Sequence, residues 1–146
     1  MPNTIKSYLL VFLQFSLIGV LFFTSIDFNF NPLAIALITT SILLLLWAIL
    51  AMQSSKLRIR PEPMAAATLI TKGPYKLIRH PMYTAVLIGC TALIIHDYNL
   101  IRLVMFVSLT LVLLIKLTWE EKMLSEKFHD YNNYMKTSYR LIPFLY

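Results

Sequence analysis

The chain has 146 residues, of which 58% are hydrophobic and 14% charged, with a mean hydropathy of +0.70. So little charge among so many apolar residues excludes an ordinary soluble domain and points to a protein of the bilayer. The formal net charge of +6 does not mark a nucleic-acid binder, because the basic residues flank apolar segments and form no domain of their own.

Ser7 to Ile26 is an apolar run long enough to cross a hydrocarbon core of about 30 Å as a helix. It follows a lone Lys6 and lacks a small-residue cleavage pattern, so it reads as a retained first span. Gln14, polar within that span, reads as an interhelical hydrogen bond. Asp27 to Pro32 is a short polar turn and Leu33 to Met52 a second span, so the two are expected to be antiparallel neighbours.

Lys56 to His80 is the longest polar stretch and holds six of the thirteen basic residues. Its end, LITKGPYKLIRHPMY over Leu69 to Tyr83, gathers turn formers, three basic side chains, two tyrosines and a histidine. Gly73-Pro74 signals a turn. Pro81 suits the first turn of a helix, which extends the short apolar run before His96 to a third span over 81–95. Arg79 and His80 then stand at a helix N-terminus, where free N–H groups and the helix dipole favour an anion. Taken alone, His80 reads as a capping or hydrogen-bonded histidine. Together with Arg79 and Tyr83, which lipid would not accept cheaply, it is expected to face a polar cavity or the cytoplasm.

His96 to Asn99 makes a tight connection to the last long apolar run, Leu100 to Trp119, which carries Arg102 and Lys116. Lys116, Glu120, Leu124 and Phe128 recur every four residues and so share one face of a helix leaving the membrane near Trp119. That spacing fits a solvated helix end with Lys116 reaching the headgroups. It fits equally a site where a carboxylate holds ribose hydroxyls or a cationic ligand and Lys116 meets an anionic substrate group. Tyr131, Tyr134 and Tyr139 read as interfacial aromatics. Arg140 either pairs with the glutamates or anchors the tail.

Lys6, the 56–80 segment and the tail hold eleven of the thirteen Lys and Arg, which is expected to put both termini and the long middle segment, with any active site it holds, on the cytoplasmic side of the membrane. The expected architecture is an all-α, multi-pass membrane bundle. It has spans of about 7–26, 33–52, 81–95 and 100–119, a cytoplasmic C-terminal helical tail, and a single membrane domain over 1–146. The single cysteine, Cys90, excludes an internal disulfide. No GxGxxG, P-loop or HExxH occurs, so neither those nucleotide motifs nor a built-in metal site is expected.

LITKGPYKLIRHPMY, followed by a helical hairpin and then EEKMLSEKFHDYNNYMKTSYRLIPFLY, resembles the isoprenylcysteine carboxyl methyltransferase and phospholipid methyltransferase group of integral membrane enzymes. The shared pattern, roughly LxTxGPYxxxRHPxYxG, then EExxLxxxF, YxxY and a closing RxIP, spans about residues 67–146. The resemblance implies methyl transfer from S-adenosylmethionine to a lipophilic or small acceptor bearing a carboxylate, thiol or amine. It implies that Ala67, Thr68, Leu69, Ile70, Tyr75, His80, Pro81, Met82 and Tyr83 line the cofactor pocket and that Glu120 also binds the cofactor. Lys116 stands where the carboxyl methyltransferases place a substrate arginine, keeping the charge without the bidentate fork. Ala85 replaces a glycine and is expected to narrow the pocket. For an amine acceptor, His80 or Glu121 is the expected catalytic proton acceptor. The competing readings are an NADPH-dependent reductase of the sterol reductase type, which shares a similar C-terminal segment, and a small four-span transporter.

Overall fold

The computed structural model describes residues 2–24, 30–53 and 68–144, with side chains from residue 5 onward. It contains α1 (Pro2–Phe23), α2 (Pro32–Met52), α3 (Pro81–His96), α4 (Leu100–Lys127) and α5 (Tyr131–Thr137). Each boundary has a local cause. Before α2, the Asn31 side chain accepts a hydrogen bond from the Ala34 amide at 2.7 Å, and Pro32 opens the first turn. The Asn99 side chain does the same for the Arg102 amide at 2.9 Å before α4. α3 starts at Pro81 as its sequence requires, with the His80 carbonyl accepting from the Tyr83 and Thr84 amides.

α1, α2 and α4 contain stretches long and apolar enough to cross a membrane, and α3 is a shorter apolar helix of 16 residues. α4 has 28 residues, about 42 Å at 1.5 Å per residue, so its last turns project beyond a hydrocarbon core of about 30 Å. Among the described residues there is no strand, only an isolated parallel bridge between Ile78 and Tyr139. The part of the first connection from Asp27 to Asn29 and the basic residues Lys56, Arg58 and Arg60 lie outside the described residues.

The helices pair differently from the expectation. α1 packs chiefly on α4 and α2 chiefly on α3, so the first two helices are not the main antiparallel pair. A short connection fixes only where two helix ends meet, whereas close approach along their length needs small side chains. α2 and α3 have them. Ser41 Oγ donates to the Ala85 carbonyl at 2.7 Å, Ala85 is fully buried, and Gly89 lies one turn further along the same contact. Between α1 and α4, Leu21, Leu109 and Leu113 build the core with Cys90 and Leu93 of α3.

Arg102 closes the bundle at the end away from α5. Its guanidinium is 1% exposed and donates to Asp97 Oδ2 at 2.8 Å and to the carbonyls of Leu21 at 3.0 Å and Leu93 at 3.4 Å. A cation placed on the last-turn carbonyls of α1 and α3 complements both helix dipoles.

The α2 to α3 contact yields a paired prediction. A Cβ at Gly89 would lie 2.9 Å from Ser41 Oγ, whereas one at Gly19 meets nothing within 4 Å. Gly89→Leu is expected to cost about 1–3 kcal/mol and lower the melting temperature in detergent. Gly19→Leu is expected to leave it nearly unchanged, and equal melting curves for the two variants would contradict the packing described.

Candidate functional site

The site is assembled where the segment before α3, the outer turns of α4 and the C-terminal tail meet. Gly73 begins a short 3-10 turn, Gly73–Lys76, with φ of +60°, a backbone region that disfavours side chains. A Cβ there would also sit 3.2 Å from both Ala51 Cβ and Trp47 Nε1, so the turn lies directly against the end of α2. The chain then pairs with the tail through its backbone. The Tyr139 amide donates to the Leu77 carbonyl at 2.9 Å, the Arg79 amide to the Tyr139 carbonyl at 2.7 Å, and the His80 amide to the Arg140 carbonyl at 3.1 Å. Thr84 Oγ1 adds a bond to the Leu141 carbonyl at 2.7 Å.

Ion pairs lock this junction. Arg79 Nε donates to Glu121 Oε1 at 2.8 Å, while its Nη1 reaches the Met135 carbonyl at 3.0 Å and the Ser138 carbonyl, capping the end of α5. Arg140 Nη2 meets the other oxygen of Glu121 at 2.7 Å. Arg79 therefore works on protein groups, not as the open anion site expected from its position. Of the two fates considered for Arg140, the pair with a glutamate is the one observed.

His80 is held between two carboxylates. It is 6% exposed, with Nδ1 3.7 Å from Glu120 Oε2 and Nε2 3.4 Å from Glu121 Oε1. The second approach lacks hydrogen-bond geometry, so Nε2 is a buried atom without a hydrogen-bond partner. Its ring lies parallel to that of Tyr83, centroids 5.3 Å apart, and Tyr83 donates its hydroxyl to Glu120 Oε2 at 2.8 Å. Lys116 does not reach out to the headgroups. It is fully buried, donates to Gln14 Oε1 at 2.7 Å and sits 5.2 Å from the centroid of the Tyr83 ring. Gln14 thus makes the interhelical bond expected of it.

These groups surround a cavity of about 270 Å³. Its polar wall contains His80, Tyr83, Lys116 and Glu120, joined by Tyr75 and Arg79. Leu69, Ile70, Pro81 and Met82 complete that side. The opposite wall is apolar, made by Phe15 and Ile18 of α1 and Leu45, Ile49 and Met52 of α2. Of the residues singled out in the sequence, Thr68 is exposed and absent from the walls, and Ala67 lies outside the described residues. Glu121 sits behind His80, not in the wall. Ala85 faces Ser41 of α2, so the narrowing expected of it falls on a helix contact and not on the cavity.

Tyr131 and Tyr134 correct the interfacial reading, because both are buried and both line the cavity. Tyr134 donates its hydroxyl to the Tyr75 carbonyl at 2.5 Å, while the Tyr131 hydroxyl is buried without a hydrogen-bond partner. Burial pushes the Tyr134 hydroxyl up to about 12, and burial first, then the Glu121 charge, pushes Tyr131 higher still. Both therefore stay neutral donors at physiological pH. The YxxY spacing in the tail was the available signal for them, but nothing in it says that the tail folds back over α4.

Removing the shared carboxylate tests the junction. Glu121→Ala removes the carboxylate that Arg79 and Arg140 share and is expected to cost about 3–5 kcal/mol locally, the usual penalty for breaking a buried ion pair. Trypsin cleavage after Lys136 and Arg140 should become much faster in detergent, and unchanged resistance would contradict the clamp.

No curated protein matches the chain. The model of the phospholipid methyltransferase family matches residues 30–131, from just before α2 to the start of α5. That interval contains His80, Tyr83, Lys116, Glu120 and Glu121, the residues gathered at the cavity and its support. With well over half its length matched, and with its apolar helices, the chain belongs to the phospholipid methyltransferase family and is a membrane-associated methyltransferase.

Proposed function

We propose that the protein transfers a methyl group from S-adenosylmethionine to the amine headgroup of a membrane lipid. The observation that carries this reading is one cavity in which buried Lys116 and His80 and half-buried Glu120 oppose apolar side chains from α1 and α2. The donor supplies a methyl on a positively charged sulfur, an electrophile that asks for alignment and a dry site more than for acid or base help.

The residues present suit that donor. Glu120 is only partly buried and is engaged by Tyr83 at one oxygen, leaving acceptor capacity for ribose hydroxyls. The Tyr131 hydroxyl, from a residue that lines the cavity, is a buried polar atom without a hydrogen-bond partner, a cost a bound ligand would remove. Leu69, Ile70 and Leu124 offer an apolar surface for a purine ring.

On the acceptor side, Lys116 is a buried cation able to pair with a phosphate. One turn away on the same helix, Glu120 attracts a cationic head. An ammonium must lose a proton before its nitrogen can attack, and His80 accepts it. The positive charge then resting on the imidazole lies between Glu120 at 3.7 Å and Glu121 at 3.4 Å. Glu121, the other expected proton acceptor, is better suited to positioning, since two guanidinium groups already hold its oxygens.

Lys6 lies 5.6 Å from the centroid of the Trp119 ring, at the end of the bundle that carries the site. The excess of basic residues at that end supports four passes with the site and both termini on the cytoplasmic face.

Calorimetry with S-adenosylhomocysteine tests the donor site. His80→Ala and Glu120→Ala are each expected to weaken binding by about tenfold or more, equal to about 1.4 kcal/mol. Unchanged binding in both variants, or binding of NADPH in its place, would overturn the reading. For the acceptor site, Lys116→Met should raise KM for phosphatidylethanolamine in mixed micelles while sparing S-adenosylhomocysteine affinity.

A further inference from the structure

We infer that Gln14 is a positioning residue of the acceptor site: it holds the Lys116 ammonium in place without cancelling its charge, so that a phosphodiester in the lipid headgroup completes the pairing. This rests on the lipid-methylating reading above and specifies which headgroups that site accepts. The family match starts at residue 30, so it does not extend to Gln14 on α1.

The buried cations of the structure differ in one respect. Arg79 meets Glu121 and Arg102 meets Asp97, each at 2.8 Å, so both of those charges are balanced within the protein. Lys116 is fully buried as well, yet among the described residues no carboxylate comes within ion-pair distance of its Nζ. Its hydrogen bond goes to the neutral Gln14 Oε1 at 2.7 Å, and the Tyr83 ring centroid lies 5.2 Å away. Glu120, one turn further along α4, takes the Tyr83 hydroxyl instead. A buried ammonium facing only an amide and an aromatic ring is costly, and an incoming anion removes that cost.

An amide suits this task where a carboxylate or an apolar side chain would not. Lysine can only donate, so Gln14 must turn its oxygen toward Nζ, which leaves its own NH2 group directed away from Lys116. Gln14 is 5% exposed and lines the cavity, and its NH2 makes no hydrogen bond among the described residues. Lys116 spends one of its three N–H groups on Gln14. An oxyanion in the cavity therefore meets an ammonium donor from α4 and an amide donor from α1, and the charge-assisted bond to the ammonium is the stronger of the two.

Gln14→Glu separates this role from simple pairing of α1 with α4. The new carboxylate keeps the shape of the side chain and forms an ion pair with Lys116, so a purely structural Gln14 predicts unchanged catalysis. Positioning predicts instead that KM for phosphatidylethanolamine in mixed micelles rises by about tenfold or more at similar kcat, while S-adenosylhomocysteine affinity is kept. Sphingosine, an amine lipid without a phosphate, should be methylated as before, so the preference for phosphatidylethanolamine over sphingosine falls by the same factor. An unchanged KM, an equal loss with both lipids, or a parallel loss of S-adenosylhomocysteine affinity would overturn the inference.

A second measurement needs neither turnover nor a methyl donor. Dihexanoyl phosphatidylethanolamine should raise the melting temperature of the unaltered protein in an uncharged detergent, and dihexanoylglycerol, which lacks the phosphate, should not. The rise should be lost in Gln14→Glu and reduced in Gln14→Met, and equal shifts with the two lipids would overturn the anion site. Failure of the unaltered protein to bind S-adenosylhomocysteine would instead overturn the methyltransferase reading, with the melting result still standing on its own.

Discussion

A carboxylate placed between two guanidinium groups governs the site end of this bundle. Glu121 comes from α4, Arg79 from the segment before α3, and Arg140 from the tail, so the pairing joins one helix to two pieces of irregular chain. Taking such ions out of water is costly, and only close, well-directed pairing offsets it. The pairing is therefore all or nothing: when it forms, the segments around Ile78 and Tyr139 are pinned together and His80 is carried to its place beside Glu120. When it does not, the carboxylate and both guanidinium groups lose their ion pairs.

The arrangement of the helices supplies the other half of the site. Small residues let α2 close on α3, and the leucine core draws α1 onto α4, so the space between α1 and α2 is left to be lined and not filled. The charged groups of the cavity all lie on the α3 and α4 side, and the α1 and α2 side is mostly apolar. A molecule with a charged head and a greasy body meets both walls at once, which a purely polar cleft or a purely apolar groove would not offer.

Much of this is legible in the sequence. Pro81 announced the start of α3 because its ring fits only the first turn of a helix, and Lys116, Glu120 and Leu124 share a face because helical periodicity leaves them no choice. The resemblance in the second half of the chain singles out Ala67 to Ile70, Tyr75 and His80 to Tyr83; of these Leu69, Ile70, Tyr75 and His80 to Tyr83 surround one cavity, Thr68 does not, and Ala67 lies outside the described residues. Long-range pairings were not legible. The short turn after α1 suggests the wrong neighbour because it constrains ends and not faces. Tyr131 and Tyr134 read as interfacial residues because an aromatic at a bilayer edge and one beneath a folded-back tail look alike in sequence. Arg79 sits in the right place for an anion, but a carboxylate 42 positions along the chain has the stronger claim on it.

The backbone bonds between Leu77 to His80 and Tyr139 to Arg140 have a consequence for how the molecule is made. Arg79 and Ser138 are separated by 59 positions, and everything between them is the α3 and α4 hairpin with its short continuation. Closing so long a loop carries an entropic cost that is small only once the hairpin has already brought its ends together. The cavity beside His80 and Glu120 is thus expected to be the last part of the polypeptide to acquire its shape, after the helices are seated. Damage to the hairpin would open this cavity well before the bundle itself came apart.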